Sequence, residues 1–165
     1  MILRVSSRAL HCVITEASID GQRESCGLLW GTSDRIVAAQ TADNVSPSPR
    51  TAFEIDPRRV IAAHRRARRM KHLALVGHWH SHPRGEPVPS PRDADAAMSD
   101  GSLWLIVAGD VARLWRAVKG GRVHDRFDPV PFAIGRDIRV DKVGTGVRMH
   151  RSGPDGGPPL LESIA

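Results

Sequence analysis

Apolar positions along this chain change period several times, and each change marks the boundary of an element. Ile2-Leu3-Arg4-Val5 alternates as a short strand does, and over residues 7–17 the apolar spacing becomes helical. Residues 27–30 and 35–41 are apolar-rich runs separated by Gly31-Thr32-Ser33-Asp34, which predicts two strands paired through a turn. Residues 44–49 hold two prolines among serine and asparagine and read as loop, and residues 53–55 predict another short strand. From 57 to 71, Val60, Ile61, Ala63, His64, Ala67 and Met70 recur near the helical period, with Asp56 as N-cap and Pro57 at the first helical position.

The apolar run at 73–76 continues into Gly77-His78-Trp79-His80-Ser81-His82, a strand that Pro83 ends because proline has no N–H for the ladder. A Gly/Pro-rich loop follows, and then Ser90-Pro91 opens a further helix, serine capping and proline in the first turn. Residues 103–108 and 111–118 predict a hairpin about Gly109-Asp110, and 122–127 a last strand. The sum is a mixed α/β fold, a mostly antiparallel central sheet flanked by helices, occupying residues 1–133 as one domain. Residues 134–165 differ: Ser152-Gly153-Pro154-Asp155-Gly156-Gly157-Pro158-Pro159 discourages helix and strand alike, which predicts a flexible C-terminal tail.

Composition sharpens this picture. With 165 residues, 41% of them hydrophobic, the chain has enough apolar side chain for one substantial core. No run approaches the roughly 20 apolar residues that span a bilayer, and Met1-Ile2-Leu3-Arg4-Val5 lacks the pattern of a signal peptide, so the expected location is the cytoplasm without membrane association. Two cysteines, Cys12 and Cys26, are too few for a disulfide framework or a cysteine-rich zinc module. The net charge is +6, and Arg58, Arg59, Arg65, Arg66, Arg68, Arg69 and Lys71 load the helix at 57–71 with cations and no acid. That helix is a solvated face, a dock for an acidic protein, or a nonspecific nucleic-acid surface; the poor aromatic interleaving argues against base stacking and makes nucleic acid the less favoured partner.

The chemistry concentrates in one array. His80 and His82 project from the same face of a strand, because side chains alternate, and Asp93 falls in the first turn of the next helix. If the loop folds back, the three form a His2Asp set, which suits Zn2+; three protein ligands leave a coordination position for water, as catalytic zinc sites do. His78 shares the histidine face and offers a three-histidine alternative. Zinc lowers the pKa of bound water to about 7 and so calls for a general base, which residue spacing leaves open among Glu86, Asp95 and something distant in sequence.

This array, with Gln22-Arg23-Glu24-Ser25-Cys26-Gly27-Leu28-Leu29-Trp30-Gly31 upstream, resembles the JAMM/MPN family of zinc isopeptidases, including its bacterial and archaeal single-domain members. The likeness runs on through Asn44, Thr51-Ala52-Phe53-Glu54-Ile55-Asp56-Pro57 and the helix after it, covering roughly residues 1–130. It implies a cytidine-deaminase-like MPN/JAMM fold, with Glu24 at the position of the family's acid/base and Ser90 at that of the oxyanion donor. Ser90 then has two duties, cap and oxyanion donor. The resemblance further implies one Zn2+ per chain, and a substrate cut after the C-terminal glycine of a ubiquitin-like or sulfur-carrier β-grasp protein. Members with a second, structural zinc carry extra histidines and cysteines after the aspartate, where this chain has only His124 and His150. A non-catalytic MPN scaffold and a nucleic-acid-binding metalloprotein are the alternatives. Cys26, in an apolar strand beside Glu24, reads as a buried thiol rather than a nucleophile.

Overall fold

A computed structural model describes residues 2–135, 140–144, 146–149 and 161–164. The chain begins with strand β1 (Leu3–Ser6) and helix α1 (Ser7–Ile19), whose first turn is capped by the Ser6 hydroxyl accepting from the Ala9 N–H at 3.4 Å. Strands β2 (Cys26–Thr32) and β3 (Arg35–Ala42) form the expected hairpin. Helix α2 (Pro57–Arg69) starts as its sequence dictates, with the Asp56 carboxylate accepting from the Arg58 N–H at 2.9 Å and Pro57 in the first turn. Strand β4 (Ala74–Ser81), helix α3 (Pro91–Ala96) and the hairpin of β5 (Leu103–Ala108) and β6 (Val111–Gly121) follow.

After β6 the sequence reading needs correcting. The last strand predicted over 122–127 is instead β7 (Asp125–Pro129), entered through His124 and Asp125, both in the left-handed region at φ 52° and 56°. It is not the last: β8 (Phe132–Gly135) pairs in parallel with β1. Strands β9 (Val140–Gly144), β10 (Gly146–Met149) and β11 (Leu161–Ile164) complete the described residues, and Ser152 to Pro159, on which the expectation of a tail rests, lie outside them. The short strand predicted at 53–55 is reduced to one bridge between Asn44 and Ile55. Asn44 explains this, because its side chain captures the N–H of Glu54 at 3.0 Å and the carbonyl of Ala52 at 3.0 Å, groups a ladder would otherwise use.

The sheet runs β11-β10-β6-β5-β4-β2-β3-β1-β8-β9, with β7 on β6; β1–β3, β1–β8 and β4–β5 are its parallel pairs and the rest are antiparallel. Alternation along the strands divides the core. Leu29, Trp79, Leu105 and Val107 face α1 on one side, among Leu10 and Val13. On the other side Leu28 and Trp30 pack under α2 at Ala63, and Trp104, Ile106 and Phe127 pack with α3 at Ala94. Ile61 and His64, which share the helical period, are nonetheless exposed, since the buried stripe of α2 runs through Ala63, Ala67 and Met70.

Gly27 is required where it stands, for a Cβ there would overlap the Gln40 carbonyl oxygen and the Trp79 indole nitrogen. That space lets Trp79 donate from Nε1 to Gln40 O at 3.3 Å, tying β4 to β3 across β2.

Candidate active site

The site grows from the end of β4. His80 is fully buried and on the α2/α3 side of the sheet; His82 lies one residue beyond the strand, held in line by its N–H donating to Val107 O at 2.7 Å. The two Nε2 atoms are 3.0 Å apart. Asp93 arrives from α3, with Oδ1 3.4 Å from His80 Nε2 and Oδ2 3.4 Å from His82 Nε2. These ligand atoms all lie within 4.8 Å of one another, and among the described residues no other group of His, Cys, Asp and Glu converges in this way.

Local sequence sets each of these positions. Ser90 and Asp93 form a reciprocal cap: Asp93 N–H donates to Ser90 Oγ at 3.1 Å, and the Ser90 N–H donates to Asp93 Oδ2 at 2.7 Å. The Ser90 hydroxyl donates to that same oxygen at 2.7 Å, so its hydrogen is committed to orienting the carboxylate in the resting site. The loop before α3 is tied down by Trp115 Nε1 donating to Pro87 O at 3.0 Å. Within the loop, His82 Nδ1 lies 2.9 Å from the Glu86 carbonyl; a carbonyl only accepts, so Nδ1 carries the hydrogen and Nε2 presents a lone pair.

Glu24 reaches the site through strand register. Cys26 pairs with His80 across the antiparallel β2–β4 ladder, and the Ser81 N–H continues it by donating to Ser25 O at 2.9 Å, so Glu24 falls opposite His82 and on the same face. It is 8% exposed. Its backbone is fixed from both sides, the N–H donating to Pro49 O at 2.7 Å and the carbonyl accepting from Asn44 Nδ2 at 2.8 Å. Glu86 and Asp95, the other bases that the spacing left open, are exposed, and Glu86 meets His82 through its backbone carbonyl.

Burial and charge divide the titrating groups. Burial raises the Glu24 carboxyl to about 7, against the pull of neighbouring His82. Burial would raise Asp93 too, but bonding to His80 and His82 outweighs it and holds this carboxyl well below the usual range. Burial lowers His80 despite Asp93; for His82 the effect of burial is overcome by Asp93 and the Glu86 carbonyl, and its pKa rises. The donor set therefore presents an ionised carboxylate and two imidazole nitrogens converging at close range, which is the environment of a divalent cation of the zinc type. His78 is on the same face but outside the cluster. Its ring packs on Trp104 with centroids 3.9 Å apart, burial pushes it down to about 3, and its Nε2 has no partner among the described residues.

Sequence reasoning missed the walls of the site. Phe53 stacks on His80 with centroids 4.3 Å apart and planes 18° from parallel, and Trp104 stands edge-on to the same imidazole at 6.0 Å. It also missed Asn44 as the organiser of the loop beneath Glu24, for which a lone Asn between the end of a strand and a Pro- and Ser-rich stretch was the available signal. Cys26 is buried, its thiol pushed up to about 12 by that burial and by Glu24, which disfavours the thiolate. Among the described residues no helix is long and apolar enough to cross a membrane.

Comparison with known proteins agrees with this arrangement. The chain is 38% identical over 96 residues to the desampylase of Haloferax volcanii, covering 57% of this chain and 68% of that one, and 33% identical over 100 residues to the desampylase of Pyrococcus furiosus, covering 61% and 67%. A probable TtuB-protein conjugate cleaving protease of Thermus thermophilus is 36% identical over 78 residues, 47% of this chain and 51% of that one. Among solved structures, a protein of Desulfitobacterium hafniense superposes with a TM-score of 0.68 at 22% identity, covering 82% of this chain and 94% of that one. A JAB1/MPN domain protein of Archaeoglobus fulgidus gives 0.51 at 14% identity, covering 81% and 97%, a likeness of fold alone. Residues 6–118 match the family of prokaryotic homologs of the JAB domain, and the chain belongs to that JAMM/MPN family.

Proposed function

We infer that the protein is a zinc-dependent peptidase or isopeptidase that hydrolyses the bond after the C-terminal glycine of a ubiquitin-like or sulfur-carrier protein. The observation that carries this is the convergence of His80 Nε2, His82 Nε2 and the Asp93 carboxylate within 4.8 Å of one another, with Glu24 facing His82 across the ladder. The names of the relatives, two desampylases and a conjugate cleaving protease, support the substrate class.

In this reading His80, His82 and Asp93 hold one Zn2+ per chain. The bound ion supplies a water acidified to a pKa of about 7 and a polarising charge for the scissile carbonyl. Glu24 takes a proton from the attacking water, and its burial favours the protonated carboxyl that then hands the proton on. The water oxygen bonds to the carbonyl carbon, the C–N bond breaks, and Glu24 delivers its proton to the departing nitrogen. Ser90 turns its hydroxyl hydrogen from Asp93 Oδ2 to the oxyanion as charge develops there, which reconciles its cap and its catalytic duty in sequence: the hydroxyl oxygen still accepts from Asp93 N while the hydrogen moves. Phe53 and Trp104 keep His80 dry and in one orientation.

A fusion in which a Gly-Gly-terminated ubiquitin-like protein is joined to a reporter tests the reading. Cleavage at the glycine is expected, and is lost with a chelator and with Glu24→Ala. Full activity in Glu24→Ala together with its loss in Glu86→Ala overturns the assignment of the base.

A further inference from the structure

Beside the site, α2 and the loop between α3 and β5 enclose a groove of about 480 Å³ whose floor includes Leu75, His78 and Trp104. His78 and His80 are two residues apart on one face of β4, roughly 7 Å along the strand, so the groove opens next to the candidate ligands. Val60 and His64 of α2 form one bank and exposed Met98 part of the other. From the helical period, Arg58, Ile61, Arg65 and Arg68 make a stripe just above that bank, at i, i+3, i+7 and i+10. All four are exposed. On the far flank Arg66 instead lies over the Trp30 ring at 5.4 Å, contributing to packing.

These cations have no close ion partner among the described residues. Among the described residues no carboxylate lies within 4.0 Å of any guanidinium of α2, although the chain has 18 acidic residues to draw on. Seven like charges between Arg58 and Lys71 repel one another and weaken the isolated helix by a few tenths of a kcal/mol per close pair, so the arrangement is not one that helix stability favours. It produces a concentrated positive field along one edge of a groove that His78 and Trp104 help to line, beside the aromatic wall of His80, which raises the encounter rate with a negative partner. An exposed isoleucine within the stripe and the apolar floor below add a surface suited to protein side chains, and no exposed aromatic ring interleaves with the arginines to stack on bases.

We propose that the Arg58–Ile61–Arg65–Arg68 stripe of α2 docks an acidic surface of the folded protein substrate, so that the substrate's C-terminal segment enters the groove over His78 toward His80 and His82. The proposal rests on the hydrolase reading for the identity of the substrate, but docking is separable from cleavage.

Binding is therefore measured on Glu24→Gln protein, which holds the probe uncut, by fluorescence anisotropy. The probes are a labelled acidic ubiquitin-like protein ending in Gly-Gly and the same protein with its surface carboxylates converted to amides. The acidic probe is expected to bind at least about tenfold more tightly than the amide form, and to lose about tenfold in affinity between about 50 and about 300 mM NaCl. Adding Arg58→Glu, Arg65→Glu and Arg68→Glu abolishes both differences, whereas the same charge change at Arg8, Arg35 and Lys119 preserves the preference for the acidic probe. A set of Arg→Gln changes, which leaves the helix easier to fold, gives the same loss in smaller measure. Equal affinity for the two probes, or an α2 variant that still discriminates, overturns the proposal. So does a duplex oligonucleotide that binds more tightly than the acidic probe and is the ligand the α2 variant loses. Absence of cleavage by the unmodified protein with this binding intact would instead defeat the hydrolase reading and leave docking standing.

Discussion

Two carboxyls a few residues' reach from the same imidazoles are pushed in opposite directions, and this is the most informative contrast at the scale of single residues. Asp93 is bonded to both histidines and stays ionised; Glu24 is buried without such bonding and rises to about 7. The sign for metal-free stability follows. A group whose pKa is raised by folding contributes fully below its unfolded value, and that contribution is lost as pH climbs through the folded value. In metal-free protein the Glu24 contribution is therefore expected to fall as pH rises from about 4.5 to about 7, while buried His78 and His80, whose pKa values folding lowers, contribute in the opposite direction, so Glu24→Gln should gain melting temperature relative to the parent across that window; an identical pH profile in the variant would mean Glu24 is not buried as described. Ser90→Ala removes a cap and the hydrogen committed to Asp93, with an expected cost of about 1 kcal/mol in thermal or denaturant unfolding and a fall in kcat of about 100- to 1,000-fold. Loss of stability with unchanged kcat would confine Ser90 to capping. Cys26, with its thiol near 12, should resist iodoacetamide in the native protein at pH 8, and Cys26→Ala should keep activity.

At the scale of elements, what the sequence disclosed was whatever depended on neighbours along the chain. A histidine pair at a proline-ended strand, a Ser90-Pro91 helix start and an Asp56-Pro57 start are local chemistry, and all stand where expected. The pairing of Cys26 with His80 is not local: 54 residues separate the two, and only the ladder brings Glu24 opposite His82. Residue spacing left the base open for that reason, and the resemblance supplied Glu24. Phe53 reads as a strand residue because its β propensity is visible, while the Asn44 side chain that pulls its segment out of a ladder acts through tertiary contact. Ile61 and His64 fit the period of α2 but face outward, since periodicity finds a stripe without fixing its edges. The β2–β3–β4 stack also has no slack at Gly27. Gly27→Ala should destabilise by about 3 kcal/mol or more, read as a lower denaturant midpoint, because the displaced atoms are the backbone of β3 and a buried indole; a midpoint within error of the parent would contradict the close approach.

On the scale of the whole molecule, the sheet sorts structure from chemistry by face. One face buries α1 in a continuous apolar core, and the other carries α2, α3, the aromatic wall and the candidate ligands, so the site can be altered without emptying the larger core. The net charge of +6 is concentrated on that second face by α2, beside the groove. The hydrolase reading requires His80, His82 and Asp93 to share one ion that Glu24 does not ligate. Elemental analysis of purified protein tests it directly. About one zinc per chain is expected in the parent and in Glu24→Ala, and less than about a tenth of that in folded His80→Ala, because removing one of three ligands costs most of the binding free energy. Undiminished zinc in His80→Ala, or its loss in Glu24→Ala with His80 intact, would contradict the account.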